Sequence, residues 1–123
     1  MILLDTNALI WLHESHARSA GLLRAGLRLY SSPASVLELQ VLCEAGRLRL
    51  RRGASVRDLV SDDRWAPDDP PSIDWFNAAL GLGWTRDPFD RLLVAHARLR
   101  RWRLATGDAS LLTHLDKHEY VEL

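Results

Sequence analysis

Apolar and polar residues follow each other along the chain in a pattern that predicts short buried strands separated by helices. The chain begins with the continuous apolar run Met1–Leu4, which is typical of a strand buried on both faces. The strongest helical pattern of the first half, 34–45, has a broad apolar face and ends before Gly46. In the second half, the pattern predicts a helix that begins at Asp87 and runs to about Arg100. The pattern further predicts strands at 27–30, 103–106 and 120–123, helices at 8–13, 17–27, 55–61, 73–80 and 109–115, and a loop at 65–72.

This alternation of strands and helices favours an α/β fold, in which a parallel sheet is covered by helices on both faces. A length of 123 residues is typical of one domain, and a hydrophobic content of 47% is enough to form a real core. The sequence shows no internal repeat, low-complexity tract or linker. We therefore expect a single α/β domain that spans residues 1–123.

Charge and cysteine content narrow the possible functions without selecting one. The 16 basic and 16 acidic residues cancel, so no net charge draws the chain to nucleic acid or to a membrane. The single cysteine, Cys43, cannot form an internal disulfide, which fits a reducing compartment. No apolar run approaches the roughly 18 residues of a membrane span, and the N-terminus lacks a secretory signal. We expect a cytoplasmic protein that does not enter a membrane.

Acidic side chains stand where the predicted strands end. Asp5 follows the first strand directly, and Asp108 follows the strand at 103–106. Asp87 and Asp90 open a helix and lie three residues apart, so they share one helix face. Glu38 lies in the second turn of the helix that follows the second strand. Because ligands of parallel sheets bind at the carboxyl edge of the strands, we expect these five acids to converge there.

Each of these acids also has a purely structural interpretation. Asp5, Asp87 and Asp108 precede helices, and aspartate is a preferred N-cap. Asp90 fits the general preference for acids in a first helical turn, and Glu38 could simply face solvent. Separate caps do not explain why all five share one edge. A cluster of carboxylates suits Mg²⁺ or Mn²⁺, which would relieve the repulsion between the acids and activate water against a phosphate.

Four short motifs, taken in order, resemble those of the PIN-domain ribonucleases. They are LLDTN at 3–7, SVLE at 35–38, DPFDRLLVAHA at 87–97 and TGD at 106–108. No single motif is specific, and their order and spacing over nearly the whole chain carry the resemblance. The short length and the DPFDRLL form are most similar to the VapC toxins of bacterial toxin–antitoxin pairs.

The resemblance implies a three-layer α/β/α fold with a central parallel sheet of four or five strands. It also implies an endoribonuclease that depends on Mg²⁺ or Mn²⁺. By motif position, the catalytic, metal-binding quartet is Asp5, Glu38, Asp90 and Asp108. Asp87 is expected to be a helix cap, with the role of an additional ligand left open. The polar positions that orient carboxylates or water in similar proteins correspond to Thr6, Asn7, Ser35 and Thr106.

The resemblance also implies partners and a reaction. The expected partners are an RNA substrate, a cognate antitoxin that blocks the site and a second copy of the chain in a homodimer. The expected reaction is hydrolysis by a metal-activated water, which leaves 3′-hydroxyl and 5′-phosphate ends. Arg86 and Arg91 lie beside the predicted site and are candidate RNA contacts. The arginine-rich runs 47–52 and 98–103 are further candidate RNA contacts, although a solvated face is favoured for both.

Other functions stay open from the sequence. A PIN-like module could bind RNA or a protein without cleaving, although the complete acidic quartet argues against this. Cleavage of DNA is an alternative within the same class of enzyme. A receiver-type signalling domain has a similar length and fold, but it needs adjacent acids after the first strand and a lysine after a late strand. Here Asp5 stands alone, and Lys117 lies in LDKHEY rather than after a strand.

Overall fold

A five-stranded parallel sheet lies at the centre of the computed structural model, which describes residues 1–24 and 26–123. The strand order is β3-β2-β1-β4-β5, and every neighbouring pair is parallel. Because β1 lies between β2 and β4, the segments that follow these strands meet at one edge of the sheet. The strands are β1 (Ile2–Leu4), β2 (Leu29–Ser31), β3 (Ala66–Pro67), β4 (Arg103–Thr106) and β5 (Tyr120–Glu122).

Helices connect the strands along the whole chain. They are α1 (Thr6–His13), α2 (Pro33–Glu44), α3 (Val56–Val60), α4 (Ser72–Leu80), α5 (Pro88–Arg100) and α6 (Ala109–His114). The helical segment predicted at 17–27 is observed as a 3₁₀ helix over Ala17–Leu23, and Ala25 lies outside the described residues. A second 3₁₀ helix, Lys117–Glu119, precedes β5. Within the described ranges, no helix has both the length and the apolar character that crossing a membrane requires.

The two faces of the sheet bury two separate apolar cores. Successive side chains of a strand point to opposite faces, and β1 shows this directly. Ile2 and Leu4 pack in the core that α1 and α3 cover, whereas Leu3 packs in the core that α4, α5 and α6 cover. The helix α2 contributes Leu39 to the first core and Ala34 to the second. The arrangement confirms the expected three-layer α/β/α fold with a parallel sheet of five strands.

The edge strand β3 corrects one prediction, because it lies within the segment 65–72 that was expected to be a loop. Tyr30 pairs with Ala66 and Ser31 pairs with Pro67, and the N–H of Asp68 donates to the carbonyl of Ser31 at 2.9 Å. A proline cannot donate to a sheet ladder, so it is tolerated mainly at an edge, where β3 lies. A strand of two residues is too short to show an alternating pattern, and the prediction was therefore wrong here.

A buried histidine fixes α5 against the start of α2. His96 Nε2 lies 2.7 Å from Asp68 Oδ2, and Nδ1 lies 2.9 Å from Ser32 Oγ. Arg100 Nε donates to the same Asp68 oxygen at 2.8 Å. Because an ionised carboxylate only accepts, Nε2 carries the imidazole proton and Nδ1 accepts from the serine hydroxyl. The network therefore connects α5, which begins with Asp87 and Asp90, to α2, which carries Glu38.

Candidate active site

Five carboxylates line one cavity of about 220 Å³ at the carboxyl edge of the sheet. They come from four separate segments, namely the β1–α1 junction, α2, the start of α5 and the β4–α6 junction. The five are Asp5, Glu38, Asp87, Asp90 and Asp108. The remaining lining residues are Thr6, Asn7, Leu42, Arg47, Leu93 and Leu111. The structure therefore brings all four acids of the expected quartet, and Asp87, to the same place.

Three of the acids are helix caps, as their positions in the sequence indicate. Asp5 Oδ1 accepts from the N–H of Ala8 at 2.7 Å. Asp87 Oδ1 accepts from two N–H groups of α5 at 2.8 and 3.2 Å, and Asp108 Oδ1 accepts from two of α6 at 2.8 and 3.1 Å. Each cap uses Oδ1, so capping leaves Oδ2 of the same carboxylate for another contact. Capping and cation binding are therefore compatible roles.

The polar residues of the motifs hold the acids in place. Thr6 Oγ1 donates to Glu38 Oε1 and lies 3.0 Å from Ser35 Oγ, and both Thr6 and Ser35 are buried. This contact ties α2 to the β1–α1 junction. Thr106 is also buried; its hydroxyl lowers the pKa of Asp5, and its Oγ1 accepts from the backbone N–H of Asp108 at 3.1 Å. These three residues contact the acids or one another, whereas Asn7 lines the cavity itself.

The ionised forms of three of the clustered acids are disfavoured. Burial raises the pKa of Asp90 to about 7, and the charges of the other four carboxylates add to this effect. Burial also raises the pKa of Asp5 to about 6, against the hydrogen bonds from Thr106 and Ala8. The pKa of Glu38 is raised by burial as well. Such uncompensated repulsion is what a bound cation relieves.

The donor atoms of the cavity fit a hard divalent cation. Carboxylate oxygens are the ligands that Mg²⁺ and Mn²⁺ prefer, and Mg²⁺ usually combines one or two carboxylates with several waters. In residues 1–24 and 26–123, no three Asp, Glu, His or Cys side chains stand close enough together to hold a metal ion directly. Ligation would therefore draw the carboxylates inward or use bridging waters, for which the cavity has room.

The two arginines expected to contact RNA do not line the cavity. Arg86 Nη1 donates to the carbonyl of Gly83 at 2.9 Å, and Arg91 Nε donates to the carbonyl of Thr85 at 2.8 Å. Both guanidinium groups thus hold the turn that precedes α5. Arg47 lines the cavity instead.

A spacing in the sequence could have singled out Arg47. Ser35, Glu38 and Leu42 are three and four residues apart, so they share a face of α2. Glu38 and Leu42 of this face line the cavity. The next position along the same helix face lies where α2 ends. The first long polar side chain beyond that end is Arg47. As one member of the run 47–52, Arg47 was a candidate RNA contact for which a solvated face was favoured.

The chain is similar to a known protein family in sequence and to several solved structures in fold. The model of the PIN domain family matches residues 2–117 of the chain. A chain of a toxin–antitoxin complex from Klebsiella pneumoniae is 18% identical, with a TM-score of 0.71 and coverage of 100% of both chains. A chain of VapBC2 from Rickettsia felis, bound to a DNA fragment from their promoter, is 16% identical, with a TM-score of 0.70 and coverage of 100% of this chain and 99% of that one.

A third solved structure, PAE2754 from Pyrobaculum aerophilum, is 23% identical, with a TM-score of 0.63, and the match covers 98% of this chain and 87% of that one. At these identities the likeness shows a shared fold. No curated protein matches the chain by sequence.

Proposed function

The chain belongs to the PIN domain family, and from this premise we propose that it is a metal-dependent endoribonuclease and the toxin of a toxin–antitoxin pair. The observation that carries the proposal is the convergence of five carboxylates from four segments on one cavity. Separate helix caps would not require a shared cavity, whereas a site for a divalent cation does.

The acids have distinct roles in this proposal. Asp5, Glu38, Asp90 and Asp108 would hold Mg²⁺ or Mn²⁺, and Asp87 is a further candidate ligand through Oδ2. A bound divalent cation lowers the pKa of water and neutralises charge on a phosphodiester under attack. The hydroxyl of Thr6 orients Glu38, and Thr106 favours the ionised form of Asp5.

The remaining groups of the cavity prepare the site for hydrolysis. The side chains of Leu42, Leu93 and Leu111 exclude water from part of its wall, which strengthens the electrostatic interactions inside. In the proposed reaction, water adds to phosphorus in line with the leaving oxygen, and the bond from phosphorus to O3′ breaks. The oxygen of water stays on phosphorus and O3′ takes up a proton, so the products are a 5′-phosphate and a 3′-hydroxyl. Because water attacks directly, no side chain of the protein becomes covalently attached.

We also propose a cognate antitoxin as a partner, in the cytoplasm. Similar folds occur in the toxin–antitoxin complex from Klebsiella pneumoniae and in VapBC2 from Rickettsia felis. In this chain, Val36, Leu37 and Val41 of α2 are large apolar side chains exposed to solvent. The same helix carries Glu38, so a protein that covered these side chains would lie beside the cavity and restrict access to it.

A homodimer is the second assembly that we propose. Ile73, Phe76 and Leu80 of α4 are 72%, 53% and 75% exposed, although all three are apolar. Their spacing of three and four residues places them in one stripe along the helix. A continuous apolar stripe of this kind is typical of a surface that another protein covers.

The test of the proposed function is a cleavage assay with purified protein and matched controls. A mixed-sequence RNA and a DNA of the same sequence are incubated with Mg²⁺ or Mn²⁺, with and without a chelator. Asp90→Asn removes one proposed ligand, and Asp74→Asn alters an exposed acid of α4 that does not line the cavity. We expect RNA cleavage that chelator abolishes and that Asp90→Asn reduces by about 100-fold or more, while Asp74→Asn cleaves as wild type does.

Other outcomes would contradict the proposal. Cleavage that survives Asp90→Asn would mean that the active site lies elsewhere or that the activity belongs to a contaminant. Cleavage of DNA in preference to RNA would overturn the proposed substrate. Metal binding without any cleavage would leave a non-cleaving PIN-like module.

A further inference from the structure

We propose that Arg47 binds a phosphate group of the RNA at the rim of the acidic cavity. This inference deepens the nuclease function proposed above and rests on it. It assigns the substrate contact to a residue other than Arg86 and Arg91.

The backbone of Arg47 is held in a fixed place beside the cavity. Gly46, with φ of +73°, ends α2 in a left-handed conformation that glycine adopts without strain. The N–H groups of Arg47 and Leu48 then both donate to the carbonyl of Leu42, at 2.9 and 3.2 Å. Leu42 itself lines the cavity, so the arginine side chain begins at an anchored position on the same wall.

The guanidinium group of Arg47 forms no ion pair within the described part of the protein. None of the ion pairs among the described residues includes Arg47, although five carboxylates line the same cavity. Other arginines do form ion pairs, as Arg98 does with Glu119 and Arg100 with Asp68. Arg47 is solvent-exposed, so its guanidinium group can take a ligand without breaking an internal contact.

A phosphodiester would gain from such a group at this site. The carboxylates repel the phosphate, and a guanidinium group at the rim adds positive charge beyond that of the proposed metal ion. A guanidinium group offers two parallel N–H donors that match two phosphate oxygens, an interaction that a point charge does not reproduce. Arg49, Arg51 and Arg52 follow in the same run and are exposed, but they do not line the cavity.

The test measures RNA binding separately from cleavage. The probe is a fluorescent single-stranded RNA, and its anisotropy is followed over a range of salt concentrations with Ca²⁺, another cation that takes oxygen ligands. The integrity of the RNA is checked on a gel. The proteins are wild type, Arg47→Gln, Arg47→Lys and the matched control Arg49→Gln, and the thermal unfolding of each shows that it is folded.

We expect Arg47→Gln to weaken RNA binding by about tenfold, the loss of a charge-assisted contact worth about 1.4 kcal/mol. Each phosphate contact to single-stranded nucleic acid contributes about 0.7 to the slope of log K against log salt, so this slope should become shallower by about 0.7. Arg47→Lys should keep the slope and bind with intermediate affinity. Arg49→Gln should match wild type in both.

An unchanged affinity and slope for Arg47→Gln would overturn the inference, and so would an equal loss for Arg49→Gln, which would indicate a diffuse basic surface. If Arg47→Gln does not fold, wild-type affinity for Arg47→Lys would also overturn it.

The experiments distinguish failure of this inference from failure of the proposed function. If wild type cleaves RNA and Arg47→Gln binds RNA as wild type does, only the role of Arg47 is wrong. If Arg47→Gln loses RNA binding and wild type does not cleave, only the nuclease function is wrong.

Discussion

The pKa of Asp90 is shifted by every other carboxylate of the cavity. Its carboxylate lies in the first turn of α5, where an acid would ordinarily be favoured by the helix dipole. Burial and four neighbouring carboxylates instead raise its pKa from an ordinary 3.8 to about 7. In the absence of a cation, ionised Asp90 is therefore a source of instability.

Asp90→Asn should consequently stabilise the metal-free protein at about pH 8. A raised pKa contributes stability that is present below the unfolded pKa of 3.8 and is lost as the pH rises through the folded pKa of about 7. Asparagine removes this loss. We expect a gain on the order of 1 kcal/mol, or about 4 °C in Tm, in thermal unfolding with a chelator.

The pH dependence and the response to metal provide the controls. The advantage of Asp90→Asn should shrink as the pH is lowered from about 7 to below 3.8, where the aspartate is protonated in both the folded and the unfolded state. Added Mg²⁺ should raise the Tm of wild type and leave that of Asp90→Asn almost unchanged. A variant that is less stable than wild type at about pH 8 in chelator would show that Asp90 does not lie in a repulsive cluster.

The sequence predicted the position of the acids more reliably than the position of the arginine side chains. Acids after strands and at helix starts follow from the topology of a parallel sheet, so all five could be assigned to one edge. The positions of Arg86 and Arg91 along the chain are close to the acids, but their guanidinium groups are used by the carbonyls of Gly83 and Thr85. The position of a long flexible side chain depends on nearby hydrogen-bond acceptors such as these carbonyls. A pattern of residue types does not reveal which acceptor it contacts.

At the scale of elements, the His96 network sets the position of α5 relative to α2. Its imidazole contacts Ser32 at the start of α2 and Asp68 after β3, and it is completely buried. The acids of the two helices can share a cavity only if the helices keep this arrangement. The sequence alone did not indicate a role for this histidine, because no surrounding motif distinguishes a structural histidine within an apolar helix.

His96→Ala should destabilise the protein by about 3 kcal/mol or more, because it opens a cavity and removes the hydrogen bonds of the imidazole to Ser32 and Asp68. The measurement is chemical unfolding. His118→Ala alters an exposed histidine and should change the free energy of unfolding by less than about 0.5 kcal/mol. Equal stabilities for the two variants would show that the network contributes little.

The apolar stripe of α4 makes a prediction about assembly. If the chain forms a homodimer through Ile73, Phe76 and Leu80, then Phe76→Glu should bury a charge at the interface and produce a monomer. Light scattering after size-exclusion chromatography measures this mass. Leu23→Glu, a similar change at an exposed apolar residue outside α4, should leave the dimer intact. A monomeric wild type would contradict the proposed dimer.

At the scale of the whole molecule, the strand order is what assembles the site. Asp5 and Asp108 are separated by most of the chain, yet β1 and β4 are neighbours in the sheet and bring them to one edge. The alternation of strands and helices predicted a parallel sheet covered on both faces, and the structure confirms it. The order of the strands and the short edge strand β3 depend on long-range pairing, which local patterns do not contain.

The chemistry of the product ends tests the proposed metal-dependent hydrolysis most directly. Wild type would cleave a single-stranded RNA with Mg²⁺ in water enriched in ¹⁸O, and the fragments would be analysed by mass spectrometry with Asp90→Asn alongside. Attack by water predicts one ¹⁸O in the 5′-phosphate of the downstream fragment and a 3′-hydroxyl on the upstream fragment. Asp90→Asn should yield about 100-fold less of both fragments. A 2′,3′-cyclic phosphate, or no cleavage by wild type, would contradict it.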